Sequence, residues 1–116
     1  MTISIYGIRN CDMMKKAFTW LNAQGLPYDF HDYKKAGVAL TDLQHWATLW
    51  GWEALINRKG TTWRRLPEAA RDCQDADTAF ALMMAHPSLI RRPILISGDQ
   101  GVLGFDPERW LQITRE

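Results

Sequence analysis

Cysteine is scarce in this chain: Cys11 and Cys73 are the only two among 116 residues. Two cysteines cannot build the disulfide framework of a small secreted domain, and their spacing does not fit a zinc site. His31, His45 and His86 are scattered, none at metal-ligand spacing from a cysteine, so no metal is expected. Long apolar runs are missing, as is a basic-then-apolar leader at the N-terminus. The cytoplasm is therefore the expected compartment, and reduced thiols the expected state. Nor does one sign of charge dominate. Lysine and arginine number 14 against 13 aspartates and glutamates, so no net field draws the chain to nucleic acid or to an anionic membrane, and neither is an expected partner. The 6 tryptophans are not interleaved with basic residues as a base-stacking platform would require, and core packing is their expected role. No repeat, low-complexity tract or linker is present, so residues 1–116 read as a single domain.

What the sequence does contain is a cysteine at the junction of a strand and a helix. In Ile5-Tyr6-Gly7-Ile8-Arg9-Asn10-Cys11-Asp12 a short apolar strand passes through a glycine turn into a helix. Met14, Ala17, Phe18 and Leu21 recur at i, i+3, i+4 and i+7 and mark one apolar face; Asn10 is placed to act as N-cap, and Gly25 to end the helix. The first turn of a helix carries unsatisfied N–H groups and the positive end of the dipole, both of which favour thiolate over thiol. Lys15 and Lys16 lie within about a turn, Arg9 precedes the cap, and Asp12 opposes them weakly. The balance predicts a lowered pKa and a nucleophile. The competing reading is a small buried side chain closing the junction, which is also the reading favoured for Cys73 at a helix end after Ala69-Ala70-Arg71-Asp72.

Alternation places a first strand at Ile3 and Ile5 and a second at Tyr28, Phe30 and the following His31-Asp32-Tyr33, so the chain begins as a right-handed βαβ unit with parallel strands. Lys34-Lys35-Ala36-Gly37 reads as a polar turn. Thr41-Asp42-Leu43-Gln44 has capping-box spacing and opens a helix carrying Leu43, Trp46, Ala47 and Trp50, which Gly51 ends. From there to about Pro87 the pattern is helical: a short helix at Glu53–Ile56, Pro67 in a first helical turn, and a stripe of Ala76, Ala79, Phe80 and Met83. Ile94-Leu95-Ile96 is a strand, Ser97 to Gly101 a turn, and Val102-Leu103-Gly104-Phe105 the second arm of a hairpin. Asp106 as N-cap and Pro107 at the first helical position open a last helix that directs Trp110 and Leu111 to the core.

A cysteine opening the first helix and an X-Pro bond at Arg92-Pro93 before the third strand resemble the thioredoxin-like arrangement. The expected fold class is α/β, a mixed four-stranded sheet built as βαβ then ββα, with a helical insertion at about 40–88. Four segments carry a more specific likeness. They are Tyr6 to Asp12 with Lys15-Lys16-Ala17 and Trp20-Leu21; Gly51 to Leu55 through Arg58-Lys59-Gly60-Thr61-Thr62-Trp63-Arg64; Ile90-Arg91-Arg92-Pro93-Ile94; and Leu103-Gly104-Phe105. In this order they resemble the arsenate reductase and Spx family, in particular its small bacterial members related to arsenate reductase, over essentially the whole chain.

The resemblance implies that Cys11 is the nucleophile and that Arg92, with Pro93 next to it in a cis peptide, binds an anion beside it. Arg58 lies in the segment that supplies a second arginine, with Lys59 and Arg64 as alternatives, and Asn10 and Lys15 complete the expected anion-binding set. Two departures shape the functional expectation. Where arsenate reductases of this type place a third arginine, this chain has Gly104-Phe105-Asp106-Pro107, which weakens an oxyanion site built from guanidinium donors. Where Spx regulators carry a C-x-x-C switch, it reads Cys11-Asp12-Met13-Met14, and a thioether cannot resolve a disulfide. The expectation is a monothiol, glutathione-dependent thiol–disulfide oxidoreductase. It would hold no tightly bound cofactor, take glutathione as co-substrate and a small or protein disulfide as substrate, and have glutaredoxin as a further partner. The alternatives are a glutaredoxin-linked arsenate reductase and a non-catalytic, Spx-like protein-binding module.

Overall fold

Ile3 and Ile5 point to the same side of a pleated strand, and in the computed structural model, which describes residues 2–72 and 74–115, both are buried in β1 (Ile3–Gly7). The apolar period that follows becomes α1 (Asp12–Ala23), with Met14, Ala17 and Leu21 buried against the sheet. The helix ends as its glycine predicts. Gly25 takes φ +66°, its N–H bonds to Asn22 O and that of Leu26 to Leu21 O, both at 3.1 Å, and Leu26 packs on the core. β2 (Tyr28–Asp32) then runs parallel to β1, with Ile3 opposite Tyr28 and Gly7 opposite Asp32.

The second strand stops one residue earlier than its alternation predicts. Asp32 accepts the N–H groups of Lys34 and Lys35 through Oδ1, at 3.0 and 3.3 Å, and so opens α2 (Tyr33–Ala36). Tyr33 is thereby turned out of the strand and buried, and the expected polar turn is helical up to Gly37.

β3 (Ile94–Ser97) lies antiparallel to β1, and β4 (Gln100–Leu103) antiparallel to β3, giving a mixed four-stranded sheet of order β2-β1-β3-β4 and the expected thioredoxin-like α/β topology. The hairpin is tighter than the sequence suggests. Only Gly98 and Asp99 turn, with Gly98 at φ +62°, the pattern of a type II′ turn, so Gln100 and Gly101 join β4 while Gly104 and Phe105 lie beyond it. Asp106 caps α7 (Pro107–Thr114) by accepting the Arg109 N–H at 3.3 Å, and Trp110 is fully buried. Leu111, expected in the core, is 40% exposed. The helical period gives the second inward position to Ile113, three residues after Trp110.

These elements form one compact unit, from the start of the chain to Ala36 and from Arg92 to its end; Gly37–Arg91 forms a second. In the second unit α3 (Leu40–Trp50) buries Leu43 and Trp46 and ends at Gly51, φ +85°. The capping box at Thr41 is not used. Ala39 O accepts from Asp42 and Leu43, so the helix begins before Thr41 and Ala39 is its N-cap. A 3₁₀ turn at Trp52–Leu55 follows, then α4 (Thr61–Arg65), which is too short to show a period in sequence. Pro67 is the N-cap of α5 (Glu68–Arg71) rather than its first residue. α6 (Ala76–Ala85) is capped by Asp75, which accepts the Thr78 N–H at 2.8 Å, and buries Ala79, Phe80 and Met83 as their spacing predicts. A second 3₁₀ turn at Pro87–Leu89 leads to Ile90, which forms a single antiparallel bridge with Ile56. Cys73 lies outside the described residues. Among the described residues no helix is long and apolar enough to cross a membrane.

One contact fixes how α1 leaves the sheet. A methyl group at Gly7 would stand 2.4 Å from Met14 Sδ, and Met14 is fully buried. Gly7→Ala is therefore expected to destabilise the fold by roughly 1–3 kcal/mol through overpacking. A denaturant titration should show a lower midpoint at unchanged slope; an unchanged midpoint would mean that Met14 repacks freely.

Candidate active site

Cys11 stands at the helix boundary itself. Its backbone is extended, φ −147° and ψ 131°, its carbonyl accepts the first helical bond from the Lys15 N–H at 3.0 Å, and it occupies the N-cap position expected of Asn10. The shift arises because the Cys11 N–H turns back to Arg9 O at 3.1 Å, which bends the chain at Asn10 and leaves that residue exposed. Arg9 lies over the Phe30 ring, 5.1 Å from its centroid.

The thiol is half-buried at the start of α1, with the peptide groups of the first helical turn beside it. Burial is the largest influence on its pKa and pushes it up. The Met14 N–H, a hydrogen bond from the Arg92 side chain, the Met13 N–H and the Arg92 charge together outweigh burial and hold Cys11 below the ordinary thiol value. The acidity comes from one guanidinium and two peptide groups.

Arg92 is delivered by the strand that follows it. The Arg92–Pro93 peptide is cis, Pro93 is buried at the entrance to β3, and its carbonyl accepts the Gly104 N–H at 2.8 Å, tying this loop to the residue after β4. The same guanidinium hydrogen-bonds the Tyr33 side chain. Tyr33 is 1% exposed, and its burial, first of all, drives the phenol pKa far up; Arg92 pulls it back, and Cys11 and Asp32 add to the rise. The phenol is therefore neutral and can accept from the guanidinium. The sequence reading missed Tyr33 because strand alternation runs straight through it. The available signal was Asp32, an N-cap residue standing immediately before it.

The structure thus brings Cys11, Arg92 and Pro93 together and adds Tyr33. Asn10 stands in the adjoining bend. Lys15 lines a groove along α1 with Lys16, Thr19, Trp20, Ala23 and Phe105. Arg58 belongs to the second unit, where its guanidinium lies 5.4 Å from the centroid of Trp63. There it lines a pocket of about 300 Å³ with Lys59, Arg91, Asn57 and Glu53. Arg64, the remaining alternative, spends an N–H on Lys59 O at 2.8 Å and does not line that pocket. At the place of the expected third arginine, Phe105 packs edge-on to Trp110 at 5.1 Å and Asp106 caps α7. Among the described residues no cluster of histidine, cysteine, aspartate and glutamate could hold a metal ion.

A family model described as the ArsC family matches residues 6–113. The chain belongs to the ArsC family. Its likeness to other members extends over nearly the full length. The solved structure of a protein named YFFB is 43% identical, with 96% of this chain and 97% of that one covered and a TM-score of 0.91. That of an arsenate reductase from Vibrio cholerae is 26% identical, with 97% and 98% covered and a TM-score of 0.83. The global transcriptional regulator Spx of Streptococcus pneumoniae is 24% identical over 91% of this chain and 80% of its own length. The ArsC assignment agrees with the likeness read from the four sequence segments.

Proposed function

We propose that this ArsC-family protein is a glutathione-dependent thiol–disulfide oxidoreductase that works through the single thiolate of Cys11. The observation that carries this reading is the half-buried Cys11 at the N-cap of α1 with the Arg92 guanidinium hydrogen-bonded to it. The Cys11 thiolate attacks the glutathione sulfur of a mixed disulfide, forming a Cys11–glutathione disulfide and expelling the other thiolate, which takes up a proton. A second glutathione thiolate then attacks that sulfur, restores the Cys11 thiolate and leaves as oxidised glutathione. The net change is two-electron reduction of the substrate disulfide by glutathione, and no second protein cysteine is required. Arg92, a rigid fork of donors, stabilises sulfur anions as they form and suits a carboxylate of glutathione.

The residues around β4 argue against arsenate as the substrate. Phe105 and Asp106 both have structural partners where a third guanidinium would stand, so a bound arsenate would lack a charge-assisted donor worth roughly 1.5–3 kcal/mol. A glutathione mixed disulfide presents no compact multiply charged anion and is not penalised in this way.

Incubation with oxidised glutathione is expected to add one glutathione to the protein, located on Cys11 by peptide mass mapping. Glutathione should then support reduction of the mixed disulfide of glutathione and 2-mercaptoethanol. Arsenate with glutathione and glutaredoxin should give little or no turnover. Vigorous arsenate turnover without disulfide activity would reverse the assignment.

A further inference from the structure

The stripe of α1 that leads away from Cys11 is built like a recognition surface. Met13, Lys16, Trp20 and Ala23 recur at i, i+3, i+7 and i+10, so they share one face of the helix, starting in its first turn. Met13 is 41% exposed. Beyond it an open groove of about 490 Å³ is lined by Lys15, Lys16, Thr19, Trp20, Ala23 and Phe105. Its floor is rigid. Trp20 and Phe105 each pack edge-on against Trp110, at 5.7 and 5.1 Å, and Trp110 is fully buried with its indole N–H on Gly104 O at 3.0 Å. The Thr19 hydroxyl donates to Lys15 O at 2.9 Å. The lining contains two lysines and no carboxylate, and among the described residues neither ammonium group has an ion-pair partner.

An apolar, aromatic floor rimmed by two lysines complements an apolar side chain flanked by carboxylates. The groove is too open to enclose a small molecule, whereas a polypeptide laid along α1 would cover it. A short spacer joins such a segment to the thiol, because the stripe begins two residues after Cys11, at the same end of α1, and Ala23 stands about 18 Å further along the helix. From this juxtaposition we propose that the groove docks the protein substrate of the reaction: a glutathionylated polypeptide whose modified cysteine is joined to an acidic segment bearing an apolar side chain. This deepens the proposed thiol–disulfide function and rests on it. Cys11 attacks the glutathione sulfur, the substrate's thiolate leaves and is protonated, and free glutathione regenerates Cys11 with release of oxidised glutathione.

The test uses the full chain and two glutathionylated peptides, one carrying Asp-Leu-Glu-Phe beyond a short spacer from its cysteine and the other Lys-Ser-Lys-Ser. The acidic–apolar peptide should be deglutathionylated with kcat/KM at least about tenfold higher. Ala23→Glu should remove that preference and Ala23→Lys, of similar bulk, should keep it. Both variants should reduce the glutathione–mercaptoethanol disulfide at the wild-type rate. Equal kcat/KM for the two peptides, or identical behaviour of the Glu and Lys variants, would overturn the proposal. A calorimetric titration with the acidic peptide bearing serine in place of cysteine separates the two readings. Binding that Ala23→Glu weakens, in a protein that reduces no disulfide, keeps the docking site and refutes the oxidoreductase.

Discussion

Cys11→Ser is expected to abolish glutathione-dependent disulfide reduction, lowering kcat/KM by about a thousandfold or more, because a serine hydroxyl ionises far less readily than a thiol and cannot form the mixed disulfide. Few substitutions separate chemistry from folding so well. Cys11 occupies the N-cap of α1, the position serine prefers, so the variant should keep or slightly raise the thermal stability of the wild type. Matching circular dichroism melts beside a lost steady-state rate would locate the defect in the nucleophile. A residual rate above a tenth of wild type would show that the electron pair comes from another group.

Arg92→Ala should have the next largest effect, and its sign follows from the balance at the sulfur. Burial raises the Cys11 pKa, and part of what overcomes it is the hydrogen bond and charge of this one guanidinium. Removal of that opposite charge should therefore carry the thiol pKa upward, towards its ordinary value. The pH profile of iodoacetamide alkylation at Cys11 would then move to higher pH. At neutral pH the rate should fall, and well above both pKa values it should match or exceed wild type, since a more basic thiolate is the better nucleophile. Arg92→Lys keeps the charge but not the fork and should fall between them. The same linkage acts on stability. With the folded pKa below the unfolded one, the thiolate stabilises the fold above the unfolded pKa, and that contribution fades as pH falls through the folded value. In Arg92→Ala the pH dependence of the melting temperature arising from Cys11 should flatten. An unshifted alkylation profile would exclude Arg92 as the source of the acidity.

The parts legible from sequence are those in which one local rule is unopposed. Met14, Ala17 and Leu21 mark α1, Gly25 ends it, and Asp106-Pro107 opens α7, because in each case period and cap agree. Errors fall where two local rules compete. Asn10 is a better intrinsic cap than Cys11, but the Cys11 N–H turns back to Arg9 O and the helix starts one residue later. The strand alternation through Tyr33 loses to the two N–H groups that Asp32 collects, and Thr41 loses its capping role to a helix already begun at Leu40. In the site, Cys11 adjoins a local signal, the helix start, whereas its pairing with Arg92 rests on the family resemblance around Arg92-Pro93 and on no local rule. Tyr33 adjoins neither the start of α1 nor Arg92-Pro93, and its hydrogen bond to Arg92 links residues far apart in sequence, which no periodicity encodes.

The division of the chain into two units carries an evolutionary consequence. The inserted segment leaves after Ala36, at the end of the helix that holds Tyr33, and returns at Arg91, one residue before the guanidinium that acts on the sulfur. The groups that lower the Cys11 pKa, the peptide N–H groups of Met13 and Met14 and the Arg92 side chain, are encoded outside residues 37–91. Mutations can therefore accumulate through nearly half of the gene without altering any of those groups. Lineages that keep these few groups can thus vary the sequence of the intervening stretch under a selection of its own.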